Sequence, residues 1–326
     1  MPEPRIIDYP NGVAAIDAEF AETPGVVASY LLQADGDAAL VDVGSNFSVP
    51  LILRGLELRG VAREQVRYVC VTHVHLDHAG GAGELMRQLP QATLVVHPRG
   101  ARHMIDPSAL HAGARAIYGD AVMARHYGDL VPVPEERVQV VNDGDRLPFG
   151  RRSLLFLDTP GHANHHYSVV DEAHDLVFAG DTFGVSYRSL DTERGAFIFP
   201  STSPVHFDPD AAHRSVDRLR GLQPQAVHVA HFGRLAEIER LAADLHEGID
   251  AHAGIAMDCA GQDEDDQAEA IGAALLEWFS GRLRAHGVTL SPEQLRQTLA
   301  MDLEMNTQGL VVWLQRRSRA ARADSR

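Results

Sequence analysis

Thr72-His73-Val74-His75-Leu76-Asp77-His78 decides how this chain is read. Three imidazoles and one carboxylate fall within six positions, directly after the apolar run Val69-Cys70-Val71. Imidazole and carboxylate are the ligands of first-row metals such as zinc, iron and manganese. A lone buried histidine is usually a core residue; three with an aspartate at this spacing read as a metal site. Arg67 to Val71 reads as a short buried strand. Gly80, Gly81 and Gly83 follow, and then Glu84 to Leu89, which reads as a helix. The His/Asp run therefore sits in a loop at the C-terminal end of a strand. In an extended segment His73 and His75 project from one side. Asp77 and His78 come after the chain turns and can face a second position, so one loop can feed two neighbouring metals.

Working outward, the same order of strand, polar ligand and nearby glycine recurs three times. Leu154-Leu155-Phe156-Leu157 leads into Asp158-Thr159-Pro160-Gly161-His162. Asp175-Leu176-Val177-Phe178-Ala179 leads into Gly180-Asp181-Thr182, and Ala226-Val227-His228-Val229-Ala230 into His231-Phe232-Gly233. With the first cluster these complete two three-ligand sites that share a carboxylate. Further strands are expected at 26–32, 38–43, 93–96 and 167–170, and helices at 48–59, 80–89, 210–221 and 234–248. Two sheets sandwiched between helices fit this order.

From about 234 onward the strand signal almost vanishes. Residues 268–279 and 295–302 have helical apolar spacing, Ser291-Pro292-Glu293 reads as a helix start, and Leu310-Val311-Val312-Trp313-Leu314 is a further apolar stripe. The organisation expected is a catalytic domain over 1–235 and a helical C-terminal extension over 236–326, serving as a lid or a dimerisation surface. Asp263-Glu264-Asp265-Asp266 reads as a solvated connector, and Arg316, Arg317 and Arg319 as a frayed tail. His103, His111 and His126, in the Ala-, Gly- and His-rich stretch between 98 and 140, have no ligand-like companion close by and read as non-metal.

The chain has 326 residues, of which 45% are apolar, enough for a full core without staples. Its formal net charge of −16 argues against a phosphate-backbone partner. There are two cysteines, Cys70 and Cys259, so no disulfide framework is expected. The opening Met1-Pro2-Glu3-Pro4-Arg5 has no apolar signal core, and no stretch is long and apolar enough for a membrane span. A cytoplasmic protein acting on a small molecule is expected, without nucleic-acid or membrane partners. A homodimer through the helical extension is compatible with the sequence.

Val41-Asp42-Val43-Gly44, His73-x-His75-x-Asp77-His78, Thr159-Pro160-Gly161-His162, Gly180-Asp181-Thr182 and the late His231 together resemble the metallo-β-lactamase-fold hydrolase superfamily, in that family's order over roughly residues 13 to 235. The resemblance implies an α/β fold, the metallo-β-lactamase αββα sandwich, here with the C-terminal helical extension. It implies that His73, His75 and His162 hold one metal, that Asp77, His78 and His231 hold the other, and that Asp181 bridges both. Asp42 would stand behind the ligands and orient the histidine loop. Two divalent ions are implied, zinc first, with iron or manganese also suited to such ligands.

Two metals about 3.5 Å apart share a hydroxide whose pKa falls towards neutrality. The expected activity is hydrolysis at a carbonyl or phosphoryl centre by metal-bound hydroxide, of the lactone or ester type. Asp77 is the candidate to accept or relay the proton. Tyr187 is the candidate to donate a hydrogen bond to the developing oxyanion, with Arg188 able to hold an anionic group. Phe197, Phe199 and Phe232 are expected to make the pocket apolar. His162-Ala163-Asn164-His165-His166 replaces the Gly-His pair that often follows the motif's first His in acyl-homoserine lactonases and hydroxyacylglutathione hydrolases, and the context of His231 differs from that of the latter, which together count against specific thioester hydrolysis. The competing readings are a thioesterase, a mononuclear iron persulfide dioxygenase and a non-catalytic metal- or ligand-binding protein of the same fold. A flavin-partnered diiron reductase is disfavoured, since a Glu normally stands there in place of His75.

Overall fold

The computed structural model describes residues 3–324. Met1 and Pro2 of the opening segment, the last two residues, and the side chains of Glu264 and Asp265 in the acidic stretch and of Ala323 and Asp324 lie outside what is described. The chain divides into two compact units. The first comprises Met1–Asp158, His165–Gly180 and Gln223–Ala236; the second comprises Thr159–Asn164, Asp181–Leu222 and Glu237–Arg326.

Both sheets belong to the first unit. The first sheet runs in chain order through β1 (Ile6–Tyr9), β2 (Val13–Asp17), β3 (Ala28–Ala34), β4 (Asp37–Val41), β5 (Val66–Cys70), β6 (Thr93–Val96) and β7 (Val138–Val140). Its first four strands are antiparallel and β4 to β7 are parallel. The β3–β4 hairpin closes on Asp35-Gly36, both at positive φ, the backbone that matches the twist of the flanking strands. The second sheet contains β8 (Arg146–Phe149), β9 (Arg152–Asp158), β10 (Tyr167–Asp171), β11 (Leu176–Gly180), β12 (Ala226–Val229) and β13 (Gly233–Leu235), in the order β13-β12-β11-β10-β9-β8.

Strand alternation builds two cores. Tyr30, Leu32, Val41, Cys70 and Val95 on one face of the first sheet meet Phe149, Phe156, Tyr167, Val169 and Phe178 of the second. The opposite residues, among them Leu31, Leu40, Val69 and Leu94, pack under helices α1 (Val49–Leu58), with Ile52 and Leu56, and, after the short α2 (Leu76–Ala79), α3 (Ala82–Gln88), with Leu85 and Met86. The stretch between 98 and 140 forms α4 (Pro98–Ile105) and α5 (Ser108–Val122) before reaching β7.

The second unit is helical: α6 (Pro209–Gly221), α7 (Ile238–Asp258), α8 (Glu264–His286), α9 (Pro292–Thr298) and α10 (Ala300–Asp324). The expected α/β class, with two sheets and C-terminal helices, is the fold the chain adopts. None of the described helices is long and apolar enough to cross a membrane.

Three local expectations need correction. Gly233–Leu235 pairs with β12, so α7 starts at Ile238 rather than 234. Residues 295–302 are not one helix: α9, with its Ser291/Gln294 capping box, ends at Thr298, and α10 begins at Ala300. Arg316, Arg317 and Arg319 are helical rather than frayed. Arg316 donates to the carbonyls of Val205 and Phe207, and Arg317 lies over the Trp313 ring.

Candidate metal centre

The topology gathers the strand ends that carry the candidate ligands. β4 and β5 are parallel, so Asp42 and the His73–His78 loop leave the first sheet at the same edge. In the second sheet β9 and β11 each run antiparallel to β10, and β12 runs parallel to β11. The strands β9, β11 and β12, which precede His162, Asp181 and His231 in the chain, therefore all end at the same edge of that sheet. Tyr167 at the start of β10 donates its backbone N–H to the carbonyl of Thr72, which joins that edge to the histidine loop.

Asp42 fixes the loop. It sits at positive φ just past β4 and is 1% exposed. Its Oδ1 accepts from Thr72 N (2.8 Å), its carboxylate accepts the Thr72 hydroxyl (2.9 and 3.0 Å), and its Oδ2 lies 3.0 Å from His78 Nδ1. A carboxylate only accepts, so His78 carries its proton on Nδ1 and turns Nε2 inward. The Thr72 hydroxyl spends its one proton on Asp42, so His73, whose Nδ1 is 3.1 Å from that oxygen, also donates from Nδ1. His231 Nδ1 is 2.9 Å from the carbonyl of Val26, and His162 Nδ1 is 3.2 Å from the carbonyl of Ser201. Four histidines thus share one arrangement: Nδ1–H on an outer oxygen, Nε2 available as a ligand. That is how metal-binding histidines are oriented in proteins.

In the first unit, Asp77, His78 and His231 offer ligand atoms within 4.8 Å of one another, with Asp77 Oδ2 at 3.3 Å from His78 Nε2 and 3.4 Å from His231 Nε2. Burial pushes the Asp77 carboxyl up, but His78 and His231 outweigh it and hold it well below the usual carboxylate range. The His73 ring lies 4.1 Å from that of His78 and 4.5 Å from that of His75. The donor set suits a divalent ion.

In the second unit, His162 Nε2 and Asp181 Oδ2 are 3.5 Å apart. The two segments are tied by the Thr182 hydroxyl, which donates to the carbonyl of Thr159 (2.7 Å). Gly161 is at φ 128°, and a Cβ there would collide with the backbone of Ala212, so only glycine fits before His162. A cavity lined by Pro160, His162, Asp181, Phe207, Leu245 and Ile249 opens beside the pair.

The remaining expected residues are held elsewhere. The Tyr187 hydroxyl donates to both oxygens of Asp302 on α10 (3.0 and 3.2 Å). Arg188 donates to the carbonyl of Ser186 and pairs with Asp191 at 3.3 Å. Phe232 packs between the sheets, and Phe199 meets Phe279 edge-on at 5.0 Å. Two residues without an assigned role stand close to the cluster. His166 is 5.0 Å, ring to ring, from His73, and His165 is 5.6 Å from His75. Their signal was the run of histidines following His162, seen only as a departure from the Gly-His pair.

A family model described as the metallo-beta-lactamase superfamily matches residues 23–231. A metallo-beta-lactamase fold-containing protein of Sulfurisphaera tokodaii, ST1585, is 26% identical over 227 residues, spanning 68% of this chain and 79% of the relative. A hydroxyacylglutathione hydrolase of Aeromonas salmonicida is 26% identical over 153 residues, 47% of this chain and 45% of its own. The crystal structure of ST1585 from Sulfolobus tokodaii shares the fold with a TM-score of 0.64 at 20% identity, over 92% of this chain and 98% of that one.

Proposed function

The chain belongs to the metallo-beta-lactamase superfamily, and on that premise we propose that it is a hydrolase of lactones or esters working with two divalent metal ions, zinc first. His73, His75 and His162 would hold one ion, Asp77, His78 and His231 the other, and Asp181 would bridge them. The observation that carries this reading is the shared tautomer: His73, His78, His162 and His231 each commit Nδ1–H to an outer oxygen and keep Nε2 for a ligand bond. Six imidazole or carboxylate ligands and a shared carboxylate suit zinc, iron or manganese.

When bound, such a pair of ions supplies an activated water and polarises the carbonyl under attack. The chain's own residues do the rest. Asp42 fixes the loop, and Asp77, ionised beside two imidazoles, balances charge and can take up the proton released in the attack. Phe207, Leu245 and Ile249 give the cavity beside His162 and Asp181 an apolar wall, which suits a neutral acyl substrate over a phosphodiester. Tyr187 is assigned to holding α10, because its proton goes to Asp302.

Elemental analysis of the purified protein, paired with a panel of lactone, ester, thioester and phosphodiester substrates, tests the reading. Two equivalents of metal and chelator-sensitive turnover of a lactone or ester are expected. No turnover of any substrate by metal-loaded protein overturns it.

A further inference from the structure

Helices α6 and α7 each carry a histidine followed four residues later by an aspartate: His213 and Asp217 on α6, His246 and Asp250 on α7. Residues four apart share one face of a helix. The two pairs cross. His213 Nε2 lies 2.9 Å from Asp250 Oδ1, and His246 Nε2 lies 3.2 Å from Asp217 Oδ1, so the helices face each other in antiparallel register. The two imidazoles meet edge to edge and nearly parallel, with centroids 4.9 Å apart, an interplanar angle of 15° and Nδ1 atoms 2.6 Å apart.

The proton count of this arrangement is informative. Each carboxylate accepts an Nε2–H, so both histidines carry a proton on Nε2. Two neutral rings would then aim bare Nδ1 lone pairs at each other across 2.6 Å, which is repulsive. The arrangement needs one cation at the nitrogen pair, and a single shared proton is the smallest. Arg220 does not supply it: its guanidinium sits against Asp217 Oδ1 at 3.1 Å and Glu239 at 3.8 Å.

We propose that His213 and His246 form a second transition-metal site, with the two Nδ1 atoms as ligands and Asp217 and Asp250 as the carboxylates that orient the rings. A carboxylate on the far nitrogen of each ligating imidazole is the usual outer support of such sites. A tetrahedral ion with metal–nitrogen bonds of about 2.0–2.1 Å spreads two nitrogens to about 3.3 Å. The rings meet head-on, so binding turns each by a few tens of degrees as the nitrogens spread; the side chains are 26% and 24% exposed, on a face open to that turn and to solvent at the remaining coordination positions. Imidazole pairs suit zinc, copper or nickel. The exchange balances simply: the ion forms two bonds to nitrogen, and the shared proton leaves to solvent. Ala212 and Leu245, next in sequence to the two histidines, line the cavity onto which His162 and Asp181 open. An ion here would pin together the two helices that wall it.

The test is equilibrium dialysis of the metal-loaded protein against micromolar zinc at neutral pH, with proton release followed by calorimetry in two buffers of different ionisation enthalpy. Wild type is expected to take up one more equivalent of zinc than His213→Asn or His246→Gln, with release of about one proton per ion. Asp217→Asn and Asp250→Asn should keep that equivalent with roughly 10–100-fold weaker affinity. Circular dichroism identifies any variant that fails to fold, and the other histidine variant then carries the comparison. Equal zinc content in wild type and a folded histidine variant overturns the proposal, as does an extra equivalent bound without proton release.

Discussion

His78, in the loop after β5, and His228, in β12, are buried to the same degree, at 0% and 1% exposed, and are built for opposite purposes. His78 gives its Nδ1 proton to Asp42 and turns its other nitrogen to Asp77 and His231. His228 has no carboxylate beside it among the described contacts. Its ring stacks on Phe178 at 4.8 Å and meets Tyr9 and Tyr30 edge-on at 5.3 Å each. Burial among those rings, with Arg234 adding to it, pulls its pKa down to about 3, so it stays neutral and packs as an aromatic residue. Burial therefore does not separate a ligand from a filler. What the rest of the ring faces does: Asp77 and His231 for His78, aromatic rings for His228.

The strongest way to break this contrast is to remove one ring of each kind. His78→Ala takes away a ligand nitrogen. It should cost a full metal equivalent by elemental analysis and lower kcat/KM by more than the roughly 10–100-fold that changes in outer partners cost. Two retained equivalents at wild-type turnover would end the ligand assignment. Asp42→Asn is gentler, because it keeps an acceptor near His78 while removing the charge that makes the imidazole a better ligand. Metal affinity measured by chelator competition should fall about 10–100-fold, with both equivalents still bound at saturating metal. An affinity equal to wild type would reduce Asp42 to a turn residue.

The filler side of the contrast is visible in stability against pH. His252 in α7 belongs with His228: it is fully buried, bonded to the carbonyl of Gly248 and set edge-on to Trp278 and Phe279, and burial pulls its pKa to about 4. Both are neutral in the folded chain. In the unfolded chain they take up a proton near pH 6.5. Below that pH the unfolded state binds more protons, so stability is full above 6.5 and falls as pH drops towards the folded values. From pH 6.5 to 5 each should cost about 2 kcal/mol, at about 1.4 kcal/mol per unit. Urea titrations of wild type against His228→Phe and His252→Phe measure this, and the variants should lose less stability on acidification. Identical pH slopes would mean that these rings ionise in the folded protein as they do in water.

How much of this was legible beforehand follows the same line. The His73–His78 loop, the Pro-Gly-His turn and the Gly-Asp-Thr turn could be read because ligand types rarely cluster at strand ends by chance and because glycine marks where a side chain cannot fit, as at Gly161. Asp42 was legible through the resemblance and not through its own neighbours: its hydrogen bonds span 30 and 36 positions. β13 was missed because three residues carry no periodicity. The crossed pairs on α6 and α7 were missed because a histidine and an aspartate four apart on one helix look like a solvated face, and only the packing of the second helix shows that each serves the other. Tyr187 reads as an oxyanion donor because it follows Asp181 closely in sequence, while the partner of its hydroxyl lies 115 positions away.

Tyr187 gives the smallest and most discriminating test, since it asks the proton question of a phenol. Its hydroxyl is committed to Asp302, and its ring lies 6.0 Å from Phe199. Tyr187→Phe keeps the ring and removes only the donor. If the hydroxyl serves to hold α10, stability should fall by about 1–2 kcal/mol, the worth of a hydrogen bond to a charged acceptor, while kcat stays within about twofold, which is under half a kcal/mol of barrier. If the hydroxyl instead donates to a developing oxyanion, kcat should fall about 100-fold or more with little change in stability. Each assignment moves one measurement and spares the other, so a single variant studied by urea titration and steady-state kinetics decides whether the Tyr187 hydroxyl serves the oxyanion or the packing of α10.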